Sequence, residues 1–208
     1  MPDFEIEDSL NCVTAGVDEA GRGPWAGPVV AGAVIIRDRN LDEELLKGLD
    51  DSKKISSAKR ELLYEKMREE EKNGRLFIGI GQASVEEIDR LNILQATFLA
   101  MKRAVEALQE KPAMAIIDGN QMPKDFPCRA QTVVKGDARC MSIAAASIAA
   151  KVYRDRLMRA LAQKYPGYGF EKNAGYGTKA HIDGLKKYGV TPEHRKSYRP
   201  IKAFLNAE

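Results

Sequence analysis

The 208-residue chain has no apolar run near the roughly 20 residues that a membrane-spanning helix requires. Its longest, residues 29–36 and 143–150, fall far short, so no membrane association is expected. The first ten residues, MPDFEIEDSL, are acidic and contain neither a basic nor an apolar segment. No secretory signal is visible there, and a cytoplasmic protein is expected. Cysteine and histidine are scarce: Cys12, Cys128, Cys140, His181 and His194 are all that the chain carries, widely spaced. That excludes a regular zinc spacing or a disulfide framework and favours reduced thiols. A Gly-Lys-Ser/Thr phosphate loop is missing. Gly21-Arg22-Gly23 has the wrong spacing for a dinucleotide fingerprint, and a strand pattern follows it where a helix is required. No Ser-His or Cys-His unit stands out by local spacing. Repeats, low-complexity tracts and linkers are absent too.

What is present describes an ordinary globular protein, 44% hydrophobic and 30% charged, of one-domain length. The net charge of +3 hides an asymmetry. Residues 1–50 hold four Lys/Arg against eleven Asp/Glu, whereas residues 171–202 hold eight against three. A basic C-terminal part fits a polyanionic partner or a solvated helical face.

Short β-branched runs bounded by Gly and Pro predict strands at 13–18 and 29–36, joined by the glycine turn, with a third at 76–80. Tight or short-helix links between them suggest an antiparallel group. Leu41 to Gly48 reads as a helical turn, and Ser57 as the cap of a helix to about Glu71. Ser84-x-x-Glu87 is a capping box opening one long helix that ends before Pro112. Residues 113–117 form an almost wholly apolar fourth strand ending in Asp118-Gly119-Asn120, suited to the inside of a sheet covered on both faces. A fifth strand is predicted at 131–135, and Gly136-Asp137 is expected to open a helix to about Lys164. Ala and Ser at 142–150 let that helix approach another layer closely. The fold class is α/β: a five-stranded mixed sheet flanked by helices. Residues 1–165 form the main domain, and 166–208 a small helical C-terminal appendage packed on it.

Asp18 and Glu19 close the first strand, Asp118 the fourth, and Asp137 follows the fifth. Carboxylates gathered at strand ends repel unless cations sit between them, and oxygen-only ligands favour Mg²⁺ or Mn²⁺ over zinc. Each also has a plainer reading: Asp118-Gly119 as a turn, Asp137 as a helix cap, Asp18-Glu19 as a solvated strand end. Adjacent strand residues face opposite ways, so Asp18 and Glu19 share a site only if the strand bends or ends there. Lys53-Lys54 and the Tyr168/Tyr176 loop could touch a nucleic acid, and His181 and His194 read as surface or substrate-contact groups.

The motif DEAGRGP at 18–24 resembles the signature of type 2 ribonuclease H, ribonuclease HII. The resemblance continues through AGPVVAGAV, DSKKIS (51–56), IIDGN (116–120), KGDARCMSIAAASIAAKVYRD (135–155), GYGTKAH (175–181) and HRKSYRP (194–200), covering nearly the whole chain in order. It implies a ribonuclease H-like fold in which Asp18, Glu19, Asp118 and Asp137 are catalytic ligands of two divalent ions, Mg²⁺ or Mn²⁺. Such ions sit about 3.5–4 Å apart. It implies that Gly21, Arg22 and Gly23 read the 2′-hydroxyl of the junction ribonucleotide, with Tyr176 stacking beside the ribose. Lys53, His181, Arg195 and Ser197 match substrate-proximal positions, and Asp155 a peripheral acidic one that Arg-Asp-Arg salt bridges explain equally. Departures are Trp25 for leucine, Cys140 for serine and Tyr198 for phenylalanine. The implied reaction is endonucleolytic hydrolysis of RNA in RNA–DNA hybrids, and cutting 5′ of single ribonucleotides in duplex DNA, leaving 3′-hydroxyl and 5′-phosphate ends. Rival readings are a ribonuclease H-like resolvase or exonuclease, which would cut all-DNA substrates, and a non-catalytic hybrid-binding protein. A monomer is expected, and no protein partner is evident: AFLNAE at the C-terminus shows no docking motif.

Overall fold

The strand-forming runs pair as their connections require. In the computed structural model, which describes residues 2–49 and 55–206, β1 (Thr14–Ala20), β2 (Val29–Ile36) and β3 (Leu76–Ala83) form an antiparallel meander. β4 (Met114–Asp118) returns beside β1 and runs parallel to it, and β5 (Arg129–Val133) runs parallel to β4. The mixed sheet has the order β3-β2-β1-β4-β5, which puts β1 at its centre.

Around it lie α1 (Glu5–Ser9), α2 (Glu43–Gly48), α3 (Ser57–Lys72), α4 (Val85–Leu91), α5 (Ile93–Glu106) and α6 (Met141–Lys164). Ala96, Ala100, Met101 and Ala104 of α5 cover the face bearing Ala15, Val17, Ala31, Ala33 and Ile117. The Ala-rich half of α6 covers the other face together with α3. It can do so because β1 and β2 carry Gly16 and Gly32 there. A Cβ on Gly16 would stand 2.2 Å from the Ser142 carbonyl carbon, and one on Gly32 2.5 Å from the Ala146 oxygen. The small residues noted in the sequence at 142–150 thus meet glycines, and backbone lies almost on backbone.

α7 (Phe170–Asn173), α8 (Lys179–Tyr188) and α9 (Arg199–Leu205) follow. Tyr168, Phe170, Leu185 and Ile201 form a separate core with Ala26 and Met158, so residues 166–206 rest on the glycine-turn region and the end of α6.

Three expectations are corrected. The long helix from Ser84 is two: Asn92 adopts φ 70° and its side chain caps α5 by accepting from the Leu94 and Gln95 amides. The third helix is capped by Ser56, one residue earlier than expected. Asp137 does not open a helix: β5 ends at Val133, Gly136–Ala138 forms one 3₁₀ turn, and α6 starts at Met141. No helix among the described residues is long and apolar enough to cross a membrane.

Candidate active site

β1 does not bend or end at its acidic pair. It stays paired with β2 through Ala20↔Val30, so Asp18 and Glu19 leave opposite faces. Asp18 shares the face of Gly16, towards α6, where the Ser147 hydroxyl donates to its carboxylate. Glu19 shares the α5 face and lines a cleft of 140 Å³ with Leu94, Phe98, Met101 and Asp118. The pair can still converge, because β1 parts from β4 just before it. The ladder between them stops at Val17↔Ile117, so Asp18 and Asp118 leave adjacent parallel strands at the same level. Asp118 Oδ1 accepts the Gly136 N–H at 2.6 Å, which draws the turn after β5 onto the end of β4. Asp137, buried, is the next residue in that turn.

The electrostatics are those of a site short of positive charge. Asp18 is 4% exposed. Its pKa is held well above the ordinary carboxylate value, first by burial and then by the charges of Glu19 and Asp118. Glu19 turns to Arg22, with 3.2 Å between Oε1 and Nη1. Among the described residues no three such groups close around a point as a metal shell. The donor set is nevertheless all oxygen and carries excess negative charge at a buried position, which suits a hard divalent ion.

Beside the carboxylates, the glycine turn is held open by two buried arginines. The Arg195 guanidinium donates to the carbonyls of Gly21 (2.5 Å), Arg22 (2.8 Å) and Gly27 (3.0 and 2.9 Å). Arg154 donates to those of Pro28, Ala26 and Ala174. Its Nε would lie 1.9 Å from a Cβ on Gly21, which has φ 97°, so only glycine fits there. Burial lowers the Arg154 pKa to about 10, which leaves it charged at neutral pH among carbonyl dipoles. Tyr176 is half exposed, and its ring lies over Gly23, 3.2 Å from where a Cβ would stand. Together Glu19, Gly21, Arg22, Gly23, Lys151 and Tyr176 line an open cleft of 260 Å³.

A family model described as ribonuclease HII matches residues 15–201. The chain belongs to the ribonuclease HII family. A ribonuclease HII of Paramagnetospirillum magneticum is 51% identical over 99% of each chain. Among solved structures, the ribonuclease H2 of Pyrococcus horikoshii shares 29% identity and a TM-score of 0.75, covering 93% of this chain and 97% of that one. The ribonuclease HII of Archaeoglobus fulgidus, solved as a complex with PCNA, shares 27% and 0.73 over 90% and 95%. The chain is therefore a ribonuclease H, an endonuclease that hydrolyses RNA in RNA–DNA hybrids.

Within this ribonuclease HII frame several anticipated contacts take other places. His181 and Arg195 are fully buried, so neither side chain is open to a substrate. Burial likewise removes His194 and Tyr168 from the surface. Ser197 is exposed, but its N–H and hydroxyl both donate to Asp89. Asp155 pairs with Lys151 (2.6 Å) and Arg60 (3.7 Å), not with its neighbours in Arg-Asp-Arg. Lys53 lies outside the described residues. Cys140, far from nucleophilic, is buried with its pKa pushed up to about 12. The sequence reading passed over Ser147, Lys151 and Arg154. Arg154 had a signal: a cation in the otherwise apolar stripe of α6 that contains Ala150 and Met158.

Proposed function

We propose that Asp18, Glu19, Asp118 and Asp137 hold two divalent ions, Mg²⁺ or Mn²⁺, and that the glycine turn and Tyr176 select a ribonucleotide beside them. The reading rests on Asp18 and Asp118, side by side where parallel β1 and β4 part, with the glycine turn continuing from β1. When bound, the ions supply an acidified water and positive charge opposite the leaving 3′-oxygen. Glu19 reaches them by leaving Arg22. Ser147 fixes the Asp18 carboxylate, and the Gly136 N–H fixes that of Asp118.

The main-chain groups of Gly21, Arg22 and Gly23 meet the 2′-hydroxyl, the one local difference between RNA and DNA. The exposed Tyr176 ring supports the sugar from the far wall. Lys151, steadied by Asp155, faces the phosphate. Cleavage falls 5′ of the ribonucleotide and leaves 3′-hydroxyl and 5′-phosphate ends, with single ribonucleotides in duplex DNA among the substrates. Residues 166–208 act as the substrate-binding appendage, and the protein works in the cytoplasm. The PCNA complex of the archaeal relative gives no support to the expectation of a chain without protein partners.

A duplex of DNA with one ribonucleotide, incubated with Mg²⁺ or Mn²⁺ beside an all-DNA control, tests this. Incision 5′ of the ribonucleotide that stops in EDTA is expected. Cutting of the all-DNA control, or cutting that persists in EDTA, contradicts it.

A further inference from the structure

Both histidines of the chain lie outside the carboxylate centre, fully buried, with their Nε2 atoms 2.9 Å apart. His181 Nδ1 is 3.0 Å from the Tyr176 carbonyl oxygen. His194 Nδ1 is 2.9 Å from the Thr191 amide nitrogen and 2.9 Å from the Thr191 hydroxyl. These contacts fix the protons. A backbone N–H can only donate, so His194 Nδ1 accepts and is bare. The His194 proton is then on Nε2 and donates to His181 Nε2, which leaves the His181 proton on Nδ1 to donate to the Tyr176 carbonyl. One order satisfies all four ring nitrogens. A charged ring would set two hydrogens against each other, either between the imidazoles or at Thr191.

Trp25, Tyr168 and Phe170 pack against the pair at centroid distances of 5.2–6.2 Å, and burial in this surround disfavours the charged form of both rings, with His181 adding to the effect at His194. The strap at 191–195, which carries His194, also indexes the glycine turn. The Gly27 N–H donates to the Glu193 carbonyl, the Arg195 N–H donates to the Trp25 carbonyl, and Ala26 bridges His194. One short segment therefore touches both walls of the cleft: the turn through its backbone, and Tyr176 through the two imidazoles.

We propose that His181 and His194 are positioning residues for ribose recognition, a proton-ordered relay that sets the Tyr176 backbone, and so its ring, at a fixed separation from Gly23. This rests on the reading of Tyr176 as the ribose-supporting ring. The test begins with long-range ¹H–¹⁵N spectra of the histidine rings in the full chain at pH 7. His181 in the Nδ1–H form, the minor tautomer in water, and His194 in the Nε2–H form are expected. His181 as Nε2–H, or either ring charged, overturns the relay.

The functional arm compares His194→Phe, which removes the donor, with His194→Gln, whose amide can restore it. The Phe variant should lose about tenfold in kcat/KM on a single-ribonucleotide duplex, the scale of one hydrogen bond, with affinity for an all-DNA duplex unchanged. The Gln variant should recover part of that loss. Equal losses in rate and affinity, or no recovery by Gln, overturn the positioning role; if the Phe variant does not fold, the Gln variant against wild type and the spectra decide. Tyr176→Ala cutting at the wild-type rate overturns instead the reading of Tyr176, whichever tautomers are found.

Discussion

Arg195 gives its whole guanidinium to the chain it supports. Its Nη2 reaches both Gly21 and Gly27, its Nη1 reaches Arg22, and the Tyr198 hydroxyl bonds to Nη1 and to the Arg22 carbonyl. A lysine has its donors at one point and cannot fork across three carbonyls. Arg195→Lys should therefore cost about 3 kcal/mol in urea unfolding, the scale of two or three buried acceptors left unmet. It should also reduce the preference for ribonucleotide-containing over all-DNA duplex in competition binding. Stability and preference both at wild-type values would show that the turn holds its own shape. The sequence marks Arg195 as basic, and residues 171–202 as a basic stretch. It does not show which of these side chains face solvent. Lys186 and Lys187 do, whereas Arg195 and His194 are inside, because they pack against a turn about 170 residues earlier.

At the scale of elements, the strands were legible because β-branched runs between Gly and Pro have little choice. The helix boundaries were less so. Asn92 breaks a helix that apolar periodicity carries straight through, since asparagine accepts a positive φ and caps at low cost. Asp137 reads as a cap in sequence but sits in a 3₁₀ turn placed by the Asp118–Gly136 bond, a contact across 18 residues that local pattern cannot show.

The link between α8 and the strap at 191–195 has its own signature in acid. Burial lowers the folded pKa of His181 and brings that of His194 to about 4, whereas the unfolded value is near 6.5. The unfolded chain thus binds the extra protons, so the contribution of the pair is complete above about pH 6.5 and fades as pH falls toward 4. Chemical denaturation should show His194→Gln losing less stability than wild type between pH 7 and pH 5, by about 2 kcal/mol for one such group. Identical pH slopes would mean that the histidines titrate freely in the fold.

Across the whole molecule, the sheet order decides the chemistry. β4 joins the meander beside β1, and that placement alone brings Asp118 level with Asp18. Spacing of about a hundred residues says nothing of it, so composition and periodicity could offer the four carboxylates only as residues at the ends of elements. The resemblance to ribonuclease HII supplied the grouping, and the parallel register supplies the physical reason for its Asp18–Asp118 part. The same order buries Asp18 next to two like charges, an arrangement unfavourable to folding that the proposed cations would relieve. The most direct measurement is the cleavage rate of Asp18→Asn on a DNA duplex with one ribonucleotide, using protein whose urea midpoint in EDTA is at or above wild type. Loss of the carboxylate proposed to bind the cations should lower the rate by about a thousandfold or more. A folded Asp18→Asn protein that cuts at the wild-type rate would contradict the account.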